Sequence, residues 1–231
     1  VAELRMAITE GVRHIVVDSF DELDRLEALH AQGLPAPRVL ARITPGVHAH
    51  THEFIATGQD DSKFGFNLGN GDAHRAVDRM RRSPAVVLEG VHCHIGSNVF
   101  EASNFAKAAE VMAGFAIPLD LPELVLGGGL GVPYVQGEEA PSIIQWGNVL
   151  LDACQALGVR SNVCVEPGRS IVAGAAITLY TVGTVKHIPG VRTYVSVDGG
   201  MSDNPRPVLY GSGYEAFLPR AVAAPRLQRA R

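Results

Sequence analysis

The chain has 231 residues with a formal net charge of −4, and 46% of its residues are hydrophobic while 19% are charged. This balance predicts one or two folded domains and argues against disorder. Lys and Arg are scattered, so no basic patch favours a nucleic acid or an anionic membrane, and no apolar run approaches the roughly 20 residues of a membrane span. The three cysteines have neither metal-type nor disulfide-type spacing, which favours a cytoplasmic protein.

Short apolar runs alternate with amphipathic segments over the first 165 residues. The predicted strands are 14–18, 39–43, 86–94, 123–126 and 162–165. The predicted helices are 21–32, 72–82, 104–115 and 143–157. Strands that are apolar on both faces and separated by helices are typical of parallel β/α units, whose ligands bind at the carboxyl ends of the strands.

From about residue 171 the pattern changes. The segments 177–186 and 192–198 alternate like strands, and only a short turn with Pro and Gly separates them. The fold class predicted from the whole chain is therefore α/β: a partial (β/α)8 TIM barrel over residues 1–172, followed by the start of a β-rich C-terminal domain over residues 173–231.

Short glycine-containing motifs follow several of these strands. They are His-Cys-His-Ile-Gly-Ser at 92–97, Gly-Gly-Gly-Leu-Gly at 127–131, Glu-Pro-Gly-Arg at 166–169 and Asp-Gly-Gly-Met at 198–201. Glycines and small hydroxyls let backbone N–H groups approach an anion, while Glu, His and Arg can bind the rest of a charged, flat cofactor. Together the motifs predict a site for a phosphate-bearing ring.

Each motif taken alone also has a structural interpretation. A strand-end histidine such as His94 is often satisfied by a backbone carbonyl, a glycine run is often a tight turn, and Glu-Pro-Gly is often a surface turn. His92 and His94 could be metal ligands, but no third ligand has suitable spacing, so we predict no metal. His48, His50 and His52 also alternate, and we expect them to form a structural loop.

The order of these motifs resembles the fold-type III pyridoxal-phosphate decarboxylases, and within them the diaminopimelate branch. The segments that carry the resemblance are Val17-Asp-Ser19, Glu22-Leu23, Ala49-His-Thr-His-Glu-Phe54, Ser62-Lys-Phe-Gly65, His92 to Ser97, Gly127 to Gly131, Glu166 to Arg169, Val197 to Met201 and Arg206-Pro-Val-Leu-Tyr210. No single segment is decisive, but coincidence does not produce so many in one order.

The resemblance implies pyridoxal 5′-phosphate as the cofactor and assigns a role to each motif. His94 would stack on the pyridoxal ring, and the Glu166 carboxylate would lie beside the pyridine nitrogen and keep it protonated; these are the two implied catalytic residues. The other implied cofactor contacts are Ser97, Gly127, Gly128, Gly129, Pro167, Gly168 and Arg169. The implied substrate contacts are Arg169, Arg206 and Tyr210, with the Arg206 fork suited to a distal carboxylate.

The implied reaction is the decarboxylation of meso-2,6-diaminopimelate to L-lysine and CO2 by a cytoplasmic homodimer. The family's Schiff-base lysine segment and its Cys-Glu motif have no match here, so we expect an internal fragment that is inactive in isolation. Two alternatives stay open. One is a decarboxylase of another basic amino acid, such as ornithine or arginine, and the other is a non-catalytic relative that binds a partner.

Overall fold

The computed structural model describes residues 1–47 and 62–225. The chain divides into two compact units. The first comprises Val1–Val132 and Glu139–Ala173, and the second comprises Pro133–Glu138 and Gly174–Arg231.

A parallel sheet forms the centre of the first unit. Its strands are β1 (Ile15–Val17), β2 (Arg38–Thr44), β3 (Phe66–Asn67), β4 (Val87–His92), β5 (Glu123–Val125) and β6 (Asn162–Cys164). Their order is β1-β2-β4-β5-β6, and the short β3 pairs in parallel with the last residues of β2, Ile43 and Thr44. The carboxyl ends of β4, β5 and β6 therefore lie side by side.

Helices connect these strands in the β/α order that the sequence predicts. They are α1 (Ala2–Thr9), α2 (Phe20–Ala31), α3 (Asp72–Arg82), α4 (Ala102–Ala116), α5 (Ile143–Ala156) and α6 (Arg169–Val172). Side chains fix two of the starts: Ser19 accepts a hydrogen bond from the N–H of Glu22, and Ser142 forms a capping box with Gln145. The predicted α/β class with a parallel sheet is confirmed.

Leucines and aromatic rings fill the core between the helices and the sheet. Leu23, Leu26 and Leu29 recur every three residues on one face of α2 and are each at most 1% exposed. In the same core, Trp146 of α5 is 1% exposed and packs edge-to-face on Phe105 of α4, with ring centroids 5.7 Å apart. Trp146 is thus a packing residue.

The second unit contains an antiparallel hairpin. Its strands are β7 (Val182–Ile188) and β8 (Arg192–Val197), and a short helix, α7 (Arg206–Tyr210), follows. The predicted first strand began at residue 177, five residues too early. Alternation reports which face a side chain occupies, but the length of a strand depends on its partner, and β8 ends opposite Val182.

None of the helices within residues 1–47 and 62–225 combines the length and the apolar character that crossing a membrane requires.

Leu26→Ala tests the packing of α2 on the sheet. We expect this substitution to lower the free energy of unfolding by about 2–5 kcal/mol, because it removes a fully buried side chain and leaves a cavity. Leu151→Ala in α5 is the control, since Leu151 is 49% exposed and its truncation should cost about 0.5 kcal/mol or less. Urea unfolding of both variants measures the difference, and equal losses would contradict the packing described here.

Candidate functional site

Backbone hydrogen bonds bring three predicted motifs together at the carboxyl ends of β4, β5 and β6. Past the end of β4, the N–H of Cys93 donates to the carbonyl of Val125 at 2.9 Å, and past β6 the N–H of Glu166 donates to the carbonyl of Gly127 at 2.7 Å. The segments 92–97, 127–131 and 166–169 are therefore neighbours, as expected for parallel strands whose carboxyl ends share one edge.

The glycine run at 127–129 lies against the two flanking segments without room for a side chain. A Cβ atom would lie 2.4 Å from the Cys93 carbonyl oxygen if added at Gly127, 2.1 Å from that of Glu166 at Gly128, and 1.9 Å from that of Gly96 at Gly129. Such approaches are far inside van der Waals contact. Main-chain packing therefore accounts for these glycines before any ligand is considered.

The Glu166 side chain stands half-exposed at this edge. Its Oε2 accepts a hydrogen bond from Nε2 of the buried His92 at 3.0 Å. This bond lowers the pKa of Glu166, with weaker contributions from the nearby His94 and Arg42, while partial burial acts in the opposite direction. Glu166 is therefore a carboxylate at neutral pH.

His94 follows β4 and presents a neutral imidazole. Burial is the main cause that lowers its pKa, and the positive charge of Arg42 acts in the same direction. The ring nitrogen Nδ1 accepts a hydrogen bond from the N–H of Gly128 at 3.3 Å, which only an unprotonated nitrogen can do. A neutral imidazole and a carboxylate thus lie on either side of the glycine run.

Ser97 and Arg169 lie on segments attached to the same edge. Just after Ser97, the N–H of Val99 donates to the Gly129 carbonyl at 2.9 Å, and the N–H of Gly131 returns a bond to the Val99 carbonyl at 2.8 Å. Arg169 is the first residue of α6, directly after Pro167 and Gly168. The structure therefore brings every first-unit residue of the predicted cofactor site to one edge of the sheet.

One site residue, Arg42, escaped prediction. Arg42 of β2 forms an ion pair with Asp18 at 3.2 Å, and its guanidinium lies 4.5 Å from the centre of the Phe64 ring. Its charge influences both His94 and Glu166. The signal was an arginine inside an otherwise apolar strand, since a charge in that position requires a partner.

Cys93 lies between the two histidines but has no nucleophilic character. Its side chain is fully buried, and burial raises the pKa of the thiol to about 12. A thiol that stays protonated at neutral pH is a poor nucleophile and a poor metal ligand, so Cys93 is a packing residue.

A second group of titratable residues lies at the opposite, amino-terminal ends of the strands. His14, Glu89 and Glu123 bring possible ligand atoms within 4.8 Å of one another. Both carboxylates form ion pairs with arginines, however: Arg38 pairs with Glu89 at 3.2 Å, and Arg13 pairs with Glu123. Because both negative charges are already paired, the group is an ion-pair cluster and a poor cation site.

Two of the three predicted substrate residues, Arg206 and Tyr210, lie in the second unit, whereas Arg169 lies in the first. Arg206 donates from Nε to the Tyr214 hydroxyl at 2.9 Å and from Nη2 to the Ser212 hydroxyl at 3.3 Å, and its guanidinium lies 5.7 Å from the Tyr210 ring centre. The Asp-Gly-Gly-Met motif also belongs to this unit, where Asp198 accepts the N–H of Thr181 at 2.7 Å. The histidines His48, His50 and His52 lie outside the described residues.

Comparison with known proteins identifies the class. Residues 1–173 match the family model described as the pyridoxal binding domain of pyridoxal-dependent decarboxylases. Because the match covers most of the chain, the chain belongs to this family, whose cofactor is a pyridoxal group.

The most similar relatives include the diaminopimelate decarboxylase of Bacillus subtilis (strain 168), which is 45% identical over 93% of this chain and 51% of its own length. The diaminopimelate decarboxylase of Staphylococcus aureus (strain COL) is 41% identical over 94% of this chain and 52% of its own length. The chain thus spans about half the length of the curated relatives it matches.

Solved structures show the same similarity. The diaminopimelate decarboxylase of Helicobacter pylori in complex with L-lysine superposes with a TM-score of 0.82 at 30% identity, covering 93% of this chain and 54% of that protein. The enzyme from M. jannaschii, also in complex with L-lysine, has a TM-score of 0.82 at 31% identity, covering 93% of this chain and 51% of its own.

Gly128→Ala tests the packing at the strand ends. The new methyl group would meet the Glu166 carbonyl at 2.1 Å, so we expect a loss of about 1–3 kcal/mol in the free energy of unfolding. Gly147→Ala in α5 is the matched control, because nothing lies within 4 Å of its added Cβ and alanine favours a helix. Urea unfolding measures the stability of both variants. If Gly128→Ala were as stable as Gly147→Ala, the packing described here would be contradicted.

His94→Asn tests the neutral state of His94. Because the pKa of His94 is lower in the folded chain, the unfolded chain binds more protons between that value and its own pKa of about 6.5. The stability that His94 contributes is thus present above this window and declines as the pH falls through it. Asparagine offers an acceptor near Nδ1 but does not titrate, so the variant should lose this part of the pH dependence. The free energy of unfolding is measured with urea at several pH values. If it changed with pH equally in the native chain and in His94→Asn, the assignment would be contradicted.

Proposed function

We propose that the protein to which this chain belongs removes one carboxylate of meso-2,6-diaminopimelate and yields L-lysine and CO2, using pyridoxal 5′-phosphate bound at the carboxyl edge of β4, β5 and β6. The observation that carries the proposal is the arrangement of the Glu166 carboxylate and the neutral His94 around the glycine run. The similarity to diaminopimelate decarboxylases selects the substrate.

The residues at this edge fit a pyridoxal ring. A carboxylate favours the protonated form of a pyridine nitrogen, and the low pKa of Glu166 keeps its charge available at neutral pH. In this proposal the uncharged imidazole of His94 stacks on the ring and restricts water, without placing a like charge next to a pyridinium. The charge states of the two assigned catalytic residues, one negative and one neutral, thus both suit a positively charged pyridinium ring.

The phosphate would bind at the glycine run and the adjoining loops. The N–H of Gly128 is already taken by His94, whereas among the described residues no acceptor pairs with the N–H of Gly129. Gly129 is therefore the preferred main-chain donor to the phosphate. The remaining contacts assigned to the cofactor are Ser97, Gly127, Pro167, Gly168 and Arg169.

When bound, the cofactor supplies a pyridinium ring that accepts the electron pair left by the departing carboxylate. The chain's own residues prepare this chemistry. Glu166 holds the proton at the ring nitrogen, and His94 fixes the tilt of the ring. In the second unit, Arg206 and Tyr210 would bind the distal amino-acid end of the substrate, for which a guanidinium fork offers two parallel hydrogen bonds.

The wider assignments belong to the same proposal. Residues 173–231, which include most of the second unit, are the beginning of a C-terminal β-domain, and the whole protein works as a homodimer in the cytoplasm. These assignments rest on the similarity to diaminopimelate decarboxylases.

Glu166→Gln in the whole protein tests the proposal. Glutamine has nearly the same shape but no negative charge, so we expect kcat for lysine release from meso-diaminopimelate to fall by about a hundredfold or more. Glu110→Gln on the exposed face of α4 is the control and should leave kcat unchanged. A folded Glu166→Gln protein with full activity would contradict the role of Glu166. A native protein that releases no lysine would contradict the reaction.

A further inference from the structure

We propose that His92 is a positioning residue for the electron-sink carboxylate: it fixes one oxygen of Glu166 and leaves the other directed toward the ring nitrogen of the cofactor. The second half of this inference rests on the proposed function, whereas the first half concerns the chain alone. His92 itself does not touch the reacting atoms.

The hydrogen bond between His92 and Glu166 spans a strand. His92 is the last residue of β4, and Glu166 follows β6. Both strands pair with β5, in which Val125 is opposite His92 on one side and Cys164 on the other. Two strands separated by a third lie about 10 Å apart, which only two long side chains can bridge. The 3.0 Å contact between Nε2 and Oε2 is thus a tertiary contact that joins the ends of β4 and β6 across β5.

The protonation state of His92 follows from its partners. A carboxylate can only accept, so Nε2 must carry the proton. The other ring nitrogen, Nδ1, is buried and has no hydrogen-bond partner among the described residues. An imidazolium would bury an unpaired N–H at that position, at a substantial desolvation cost. The geometry therefore favours a neutral imidazole with its proton directed at Glu166.

The side chains of His92 and Glu166 differ strongly in burial. The His92 side chain is 6% exposed, whereas that of Glu166 is 48% exposed. Within the described part of the chain, Oε1 of Glu166 makes no hydrogen bond. His92 therefore supports the carboxylate from the protein interior and leaves its outer oxygen for a ligand.

Other titratable or charged groups near Glu166 act less directly. His94, Arg42, Cys93 and Cys164 all interact with it electrostatically. The pKa values of the two thiols are raised mainly by burial, so both are uncharged at neutral pH, and His94 is neutral as well. Arg42 is the one remaining charge of this group, and substitution of His92 leaves it in place.

The test compares side chains at position 92 that place a hydrogen-bond donor at different positions. The amide nitrogen of His92→Gln can reach the position of Nε2, whereas that of His92→Asn reaches only the position of Nδ1, and His92→Leu offers no donor. Each chain is labelled with ¹³C at the glutamate carboxyl groups, and the Glu166 signal, assigned from its loss in Glu166→Gln, is followed against pH without cofactor. Dialysis of the whole protein carrying each substitution against pyridoxal 5′-phosphate then measures binding, and urea unfolding verifies that each variant is folded.

We expect the pKa of Glu166 to stay low in the native chain and in His92→Gln, and to rise in His92→Asn and in His92→Leu. Cofactor binding should weaken about tenfold in the same two variants, since each loses a hydrogen bond to a charged group. Two results would overturn the inference. One is an unchanged Glu166 pKa in whichever of His92→Asn and His92→Leu folds, and the other is a raised Glu166 pKa in His92→Gln. If the whole native protein binds no cofactor, the proposed function fails while the titration still decides the role of His92.

Discussion

The close main-chain contact between the glycine run and its neighbours is the constraint on which the site depends. At Gly127, Gly128 and Gly129 the turn after β5 lies so near the segments that follow β4 and β6 that no Cβ atom fits. This contact brings the His92 to His94 segment and Glu166 to one edge of the sheet, and backbone hydrogen bonds hold them there. Replacing any of these glycines would therefore disturb the positions of both His94 and Glu166, whether or not that glycine touches a ligand.

The same packing sets the electrostatics of the edge. Burial lowers the pKa of His94, and the hydrogen bond from His92 lowers that of Glu166, so one uncharged ring and one negative charge flank the glycine run at neutral pH. Arg42, which reaches this edge from β2, favours both states because a positive charge disfavours a protonated imidazole and favours a carboxylate. The site thus has a consistent charge pattern before a cofactor enters, as expected of a preorganised site.

The sequence predicted much of this arrangement because its signals are local. Asp72–Arg82 was predicted with the bounds that the structure has, since Gly71 precedes the helix and Ser83-Pro84 follows it. The two residues of β3, Phe66 and Asn67, are too few to carry a periodic pattern and were missed. The pairing of His92 with Glu166 joins positions 74 residues apart across an intervening strand. No local pattern reports such a contact, so only the register of β4, β5 and β6 could reveal it.

The central claim is that the Glu166 carboxylate lies against the ring nitrogen of a bound pyridoxal group. The most direct measurement is the ¹⁵N chemical shift of that nitrogen in labelled pyridoxal 5′-phosphate bound to the whole native protein and to its Glu166→Gln variant. We predict the shift of a protonated pyridinium in the native complex and a move toward that of neutral pyridine in the variant. A neutral nitrogen in the native complex, or the same pyridinium shift in both complexes, would contradict the account.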